Sequence, residues 1–286
     1  MLIAVDIGNT NIVIGFMDPL PSDQVDSAHP LSRRQVADTY RMTTTQTSTS
    51  DEYGIALLQF LALSSYKPSD VEGVIIASVV PQVMHSFRSA IIKVVGTTPM
   101  IVSPGVKTGI NVKLDDPKSL GSDCLCDCVA AYYLYNSPSL VVDMGTATTY
   151  NIVDTGGSIV TGLISAGLQT SARALAGGTA QLPQVEIRRP DTITATNTID
   201  AIQSGLYYSF LGGLQMIINQ SRKEFSPDLT VIATGGLGRV VEADAKDLGL
   251  IDVYDPDLIF KGMDIIYNRT TSSKNRGQKK ASHASR

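Results

Sequence analysis

Hydrophobic residues run almost unbroken through LIAVDIGNTNIVIGF (residues 2 to 16), interrupted by Asp6, by the polar group Gly8, Asn9, Thr10 and Asn11, and by Gly15. The pattern predicts a strand, a tight polar turn and a second strand. Residues 139 to 153, SLVVDMGTATTYNIV, repeat that grammar, with an apolar run ending in aspartate, then Gly-Thr-Ala-Thr, then another β-rich run. The shared signature is V-D-hydrophobic-G-polar, at Val5 to Asn9 and at Val142 to Thr146. Two occurrences in two halves of one chain point to an internal duplication.

Other segments fit two α/β halves. DEYGIALLQFLALSSY (51 to 66) has helical spacing, with Asp51 near its start, and GVIIASVVP (73 to 81) reads as a buried strand halted by a proline. Thr198 opens a long helix in which Ile199, Ile202, Leu206, Phe210, Leu214 and Ile217 recur every three or four positions. LTVIATGGLG (229 to 238) reads as a strand entering a glycine turn, and Pro19 to Arg34 as a surface loop.

All three cysteines fall within GSDCLCDC, Gly121 to Cys128. The segment CLCDCVAAYYLY is long and free of Gly and Pro, which predicts a helix starting near Ser119 to Ser122 and running to about Tyr135. In a helix Cys124 and Cys128 share a face and Cys126 lies about 200° away, whereas in a strand all three would converge. The helical reading argues against a shared metal ion, as does the lack of a CxxC pair or a neighbouring histidine. It leaves Cys126 and Cys128 as filler and Cys124, near a helix N-terminus, as a candidate redox thiol.

The chain has 286 residues, 43% apolar and 17% charged, which suits one large or two ordinary globular domains. It holds no apolar run long enough to span a membrane and no signal-like start, so the cytoplasm is the default compartment, in keeping with an odd number of cysteines. Asn268 to Arg286 carries six basic residues and no acidic one, so the formal charge of −4 becomes −10 for residues 1 to 267. So acidic a body argues against nucleic acid as a partner, and the polar tail is expected to be disordered.

An aspartate that ends a buried strand, followed by glycine and small polar residues, sets a carboxylate beside backbone N–H groups. Such a turn can take phosphate oxygens while the carboxylate holds the accompanying magnesium. Asp6 with Gly8 to Asn11 is one candidate and Asp143 with Gly145 to Thr148 the other, against the alternative of ordinary capped hairpins. Gly235 and Gly236, without side chains, would let a nucleotide base or ribose lie against the backbone. Walker and GxGxxG loops are absent, and no histidine lies beside a motif, so acid–base work falls to a carboxylate.

These residues, in this order, resemble the type III pantothenate kinases of the actin, hsp70 and sugar-kinase superfamily. The landmarks are DIGNTN (6 to 11), YRMTT with DEYG (40 to 44, 51 to 54), ASVVP (77 to 81), DDPKSLGSD (115 to 123), VVDMGTATT (141 to 149), TAQLPQVEI (179 to 187), NTIDAIQSG (197 to 205) and ATGGLG (233 to 238). The resemblance runs from Leu2 to about Tyr267. It implies two duplicated ribonuclease-H-like domains, mixed sheets flanked by helices, expected here at 1 to 118 and 119 to 267 ahead of the tail, 268 to 286.

The resemblance also implies an activity, transfer of phosphate from ATP to pantothenate as the first step towards coenzyme A, and a set of site residues. Asp6, Ile7, Gly8, Asn9, Thr10, Asn11, Ile12 and Val13 would cradle the ATP phosphates, with Asp6 near Mg2+, and Thr146 would add a nucleotide contact. Asp143 would help bind a monovalent cation, K+ or NH4+. Gly121, Ser122, Asp123 and Cys124 would line the pantothenate site, with Asp123 as the base, and Thr198 would contact pantothenate in a homodimer. This chain has GSDC where the family usually has GADR, Leu114 in place of a common tyrosine, and Ala166 in place of a proline. The cysteine in place of arginine raises an alternative, a catalytically silent relative that binds ligand. A sugar or acetate kinase of the same superfamily would fit the turns but not DDPKSLGSD or NTIDAIQSG.

Overall fold

The computed structural model describes residues 1 to 21, 31 to 103, 106 to 135 and 137 to 284, so residues 22 to 30 of the expected surface loop lie outside the described residues. The first apolar run forms β1 (Leu2–Ile7), which turns antiparallel into β2 (Asn11–Pro19), itself paired with β3 (Arg34–Thr43). Helix α1 (Ser50–Leu63) follows. Its start is a capping box, in which the Thr49 side chain accepts from the Glu52 N–H and the Glu52 carboxylate accepts from the Thr49 N–H. β4 (Gly73–Ser78) lies parallel to β1, and Pro81 then occupies the first turn of α2 (Pro81–Val95), so the proline beyond the strand begins a helix. β5 (Met100–Ile101) completes a sheet ordered β3-β2-β1-β4-β5. β1 is its centre, which is why Leu2, Ile3, Ala4 and Val5 are all fully buried.

The chain continues through β6 (Asn111–Val112), α3 (Ser122–Leu134), β7 (Ser139–Met144), β8 (Ala147–Val153), β9 (Ser158–Ala166), α4 (Leu168–Gly177) and α5 (Thr198–Glu224). It ends with β10 (Thr230–Thr234), α6 (Gly238–Asp247), β11 (Val253–Tyr254) and α7 (Leu258–Ala284). The second sheet is ordered β11-β10-β7-β8-β9-β6. β7, β8 and β9 form an antiparallel meander as β1, β2 and β3 do, and β10 lies parallel to β7 as β4 does to β1. Apart from the added β6, the two sheets share one strand order, so the duplication expected from the repeated turn, and the ribonuclease-H-like fold that the resemblance implies, are present.

The described residues fall into two compact units, Met1–Asn111 with Asp116–Leu134 and Asp257–Arg286, and Val112–Asp115 with Tyr135–Pro256. A single cut after residue 118 does not describe this division, because α3 and α7 belong with the first sheet. A Cβ on Gly262 of α7 would overlap the Cys126 carbonyl of α3, so the two helices meet backbone to backbone. α7 also packs on the first sheet, with Phe260 against Gly15 and Tyr267 against Gly73.

The expected disordered tail likewise begins inside α7. Asn268 and Thr270 are buried. The Asn268 amide donates to the Leu31 carbonyl and to Asp264, and the Thr270 hydroxyl accepts from the Lys107 N–H at 3.0 Å. Asp264 is fully buried and accepts from the Arg33 and Arg34 N–H groups and from the Arg34 guanidinium. These polar anchors hold a segment that has too few apolar residues to bury.

Candidate active site

The first turn grows out of the register of β1 and β2. Asp6 pairs with Val13 and Ile7 with Ile12, leaving Gly8, Asn9 and Thr10 to reverse the chain. The Gly8 N–H donates to the Asn11 carbonyl at 3.0 Å, and Thr44, just past β3, braces the loop by donating its N–H to Thr10 and its hydroxyl to the Gly8 carbonyl at 2.6 Å. Ile7 and Ile12 are fully buried members of the first core, so any contact they make with phosphate is through their backbone. Asp6 and Val13 are half-buried at the strand ends.

Residues 121 to 124 lie at the start of α3, in the same unit. The Gly121 carbonyl accepts the first helical bond, from the Leu125 N–H at 3.0 Å, which puts Asp123 in the first turn, where the helix dipole favours a carboxylate. Its Oδ1 accepts from the Cys124 N–H at 2.8 Å and folds back over Gly121, where a Cβ would overlap it. Burial first, then the charges of Asp127, Asp6 and Asp123, push the Cys126 thiol up.

The second turn has the same strand grammar and different walls. Asp143 pairs with Thr149 and Met144 with Thr148, and the Gly145 N–H donates to the Ala147 carbonyl at 3.1 Å. Gly167, at the start of α4, packs against the turn so closely that a Cβ would overlap the Gly145 carbonyl and lie 2.6 Å from the Thr146 oxygen. The Thr146 carbonyl accepts from the Gly167 N–H and from the Thr170 hydroxyl, while its side chain is exposed. On the other side Gly235, at φ +91°, fits where a Cβ would overlap Asp143 Oδ1 and lie 2.6 Å from the Met144 nitrogen. The Tyr254 hydroxyl fixes the Gly235 carbonyl at 2.8 Å, and Gly236 is exposed beside it.

Thr198 lies in the same unit, at the start of α5. The cap of α5 is Asn197, whose side chain accepts from the Asp200 N–H at 3.0 Å, and Thr198 is the first helical residue. It lines a cavity of about 920 Å³ whose other walls include Tyr150, Leu168, Leu175, Ile202 and Phe210. Residues 179 to 197 strap over α5 without secondary structure of their own. Gln203 donates to the Glu186 carbonyl and Ser204 to the Thr192 carbonyl, while Arg189 pairs with Asp244.

The cysteines follow the helical reading. All three are buried, Cys126 and Cys128 completely, and burial pushes both of those thiols up. Among the described residues no three metal-binding side chains gather into a group. Thr44, Gly167, Thr170 and Tyr254 shape the two turns, and the sequence analysis did not single them out. Thr44 falls within the YRMTT landmark and Gly167 follows Ala166, the position of the usual proline, while Thr170 and Tyr254 act through contacts distant in sequence.

Comparison with known proteins agrees with this geometry. Residues 2 to 220 match the family model described as type III pantothenate kinase. A type III pantothenate kinase of Bifidobacterium adolescentis is 54% identical over 94% of this chain and 98% of its own length, and one from Bifidobacterium longum strain DJO10A is 56% identical over 94% and 99%. The relative from Agathobacter rectalis is 40% identical over 94% and 97%. Identity of this extent, together with two matching aspartate turns on a duplicated fold, makes the chain a member of the type III pantothenate kinase family.

Proposed function

We propose that this chain transfers the γ-phosphoryl group of ATP to the primary hydroxyl of pantothenate, giving 4′-phosphopantothenate, the first step of coenzyme A biosynthesis. The observation that supports the residue assignment is the bonded path between the first turn and the start of α3, in which the Val79 N–H donates to the Ile7 carbonyl at 3.1 Å and Ser122 bonds the backbone of Ser78. In this reading Asp6 and the backbone from Ile7 to Val13 receive phosphate oxygens, and Thr146, Gly235 and Gly236 meet the rest of the nucleotide. Gly121 to Cys124 line the pantothenate site. Thr198 reaches pantothenate in a homodimer, and the enzyme works in the cytoplasm.

The pantothenate oxygen attacks the γ-phosphorus as the bond to the β,γ-bridging oxygen breaks. ADP departs, and the hydroxyl proton passes to Asp123. An aspartate is a weak base, but it can take this proton late, once the new bond to phosphorus is forming. The donors fit the cations the family implies. Asp6 offers hard carboxylate oxygen to Mg2+ at a half-buried strand end, and Asp143, half-buried and packed against Gly235, would offer carboxylate oxygen to K+ or NH4+. Bound there, the cations supply positive charge that offsets the phosphates.

ADP release measured with pantothenate, a sugar or acetate as acceptor tests the reading. Release that requires pantothenate, and K+ or NH4+ over Na+, is expected. Preference for a sugar or acetate, or no turnover by folded protein, would overturn it.

A further inference from the structure

The Ser122 hydroxyl binds the backbone of one residue twice. It donates to the Ser78 carbonyl at 3.0 Å and accepts from the Ser78 N–H at 2.8 Å. A hydroxyl has a single proton, so this commits its donor wholly to Ser78. Ser78 is the last residue of β4, in register with Ile7 of β1. Its N–H and carbonyl face the side on which β5 pairs only as far as Ile76, so they outlast their strand partner. Ser122 supplies both missing bonds. The next residue, Val79, points the other way and donates its N–H to the Ile7 carbonyl at 3.1 Å. Ser78 Oγ, meanwhile, accepts from the Val80 N–H at 3.1 Å, which stiffens the exit from the strand.

A continuous series of bonds therefore runs from Ile7, at the mouth of the first phosphate turn, through Val79 and Ser78 to Ser122, one residue before Asp123. We propose that Ser122 is a positioning residue: its two bonds to the Ser78 N–H and carbonyl pin the start of α3 to the end of β4 and hold the Asp123 carboxylate in register with the first phosphate turn. The inference rests on Asp123 being the base, as proposed above. It also changes the part expected of Ser122, whose hydroxyl faces β4, so that its share in the substrate site is its backbone. The family motif carries alanine at this position, so Ser122→Ala introduces no foreign shape.

Steady-state kinetics on the full chain, with wild type, Ser122→Ala and Ser122→Thr, test this. Loss of the clamp is expected to lower kcat about ten-fold in Ser122→Ala while KM for ATP and for pantothenate stay within about two-fold. Ser122→Thr, which keeps the hydroxyl, is expected to restore kcat to within about two-fold of wild type. An unchanged kcat in Ser122→Ala, or a rise in pantothenate KM alone, would overturn the proposal, the latter by making Ser122 a substrate contact.

Should wild type fail to phosphorylate pantothenate, the functional reading fails, and amide hydrogen exchange decides the clamp separately. The Ser78 amide is expected to be protected in wild type and to exchange about ten-fold faster in Ser122→Ala. An unprotected Ser78 amide in wild type, or equal rates in the two proteins, would contradict it.

Discussion

The two aspartate turns occupy equivalent places on the two sheets, and what differs is the residue at which the parallel partner strand leaves. Beside β1 that position is Ser78, in register with Ile7. Beside β7 the corresponding position, opposite Met144, is Gly235, one residue past the Thr234–Asp143 pair. Ser78 keeps an extended path and uses its N–H and carbonyl to grip α3 through Ser122. Gly235 turns through a left-handed conformation and lies directly against Asp143 and Met144. One duplicated unit has thus been used in two ways, to bond the start of a helix and to pack a backbone against a carboxylate.

The anchoring differs in kind as well. In the first unit the Arg34–Asp264 pair is buried, with Asp264 fully enclosed and shared by two backbone N–H groups and Asn268. In the second unit the strap is held by Arg189–Asp244, with Arg189 64% exposed and Tyr207 adding a 2.6 Å bond to the carboxylate. The buried pair should therefore dominate the local stability and the exposed one should contribute little.

The largest expected effect is at Gly235. In Gly235→Ala the side chain meets both a left-handed backbone and the atoms of Asp143 and Met144, a combination expected to cost more than about 3 kcal/mol in stability, read by urea denaturation. A loss under about 1 kcal/mol would mean the second turn yields freely. Asp264→Ala leaves the Arg34 guanidinium buried without its main counter-ion and is expected to cost about 3 kcal/mol. Asp244→Ala, by contrast, is expected to cost about 1 kcal/mol or less in the same measurement.

Gly121→Ala sharpens the comparison from the first turn. The methyl would displace the Asp123 carboxylate, so kcat should fall about 10²-fold while the melting temperature moves little. The smallest effect is a pH dependence. Hydrogen bonding from Tyr207, then Arg189, holds the Asp244 carboxyl below the usual carboxylate range. A depressed folded pKa gives stability that is complete above the unfolded pKa and lost as the pH falls through the folded one. Between about pH 5 and pH 3 wild type should therefore lose slightly more stability than Asp244→Asn, by under about 1 kcal/mol.

Much of this arrangement could be read from the chain. Both hairpins followed from apolar runs broken by Gly and Asn, and the length of CLCDCVAAYYLY separated helix from strand at the cysteines. Thr198 began its helix as expected, with Asn197 as the cap beside it. What stayed hidden was non-local. The place of α3 and α7 with the first sheet depends on Gly262 meeting Cys126, and the order of Asn268 and Thr270 depends on polar partners in the segment before β3 and near Lys107. No spacing rule links Ser122 to Ser78, so a motif position expected to touch substrate is instead bonded to a strand end.

The central claim is that Asp123, held at the start of α3, is the base of a pantothenate kinase. Turnover and calorimetric binding measured side by side on wild type and Asp123→Asn test it most directly. Wild type should convert pantothenate to 4′-phosphopantothenate with ATP, and Asp123→Asn should lose about 10²- to 10⁴-fold in kcat while still binding ATP. Near-wild-type turnover by the folded Asp123→Asn protein would contradict it.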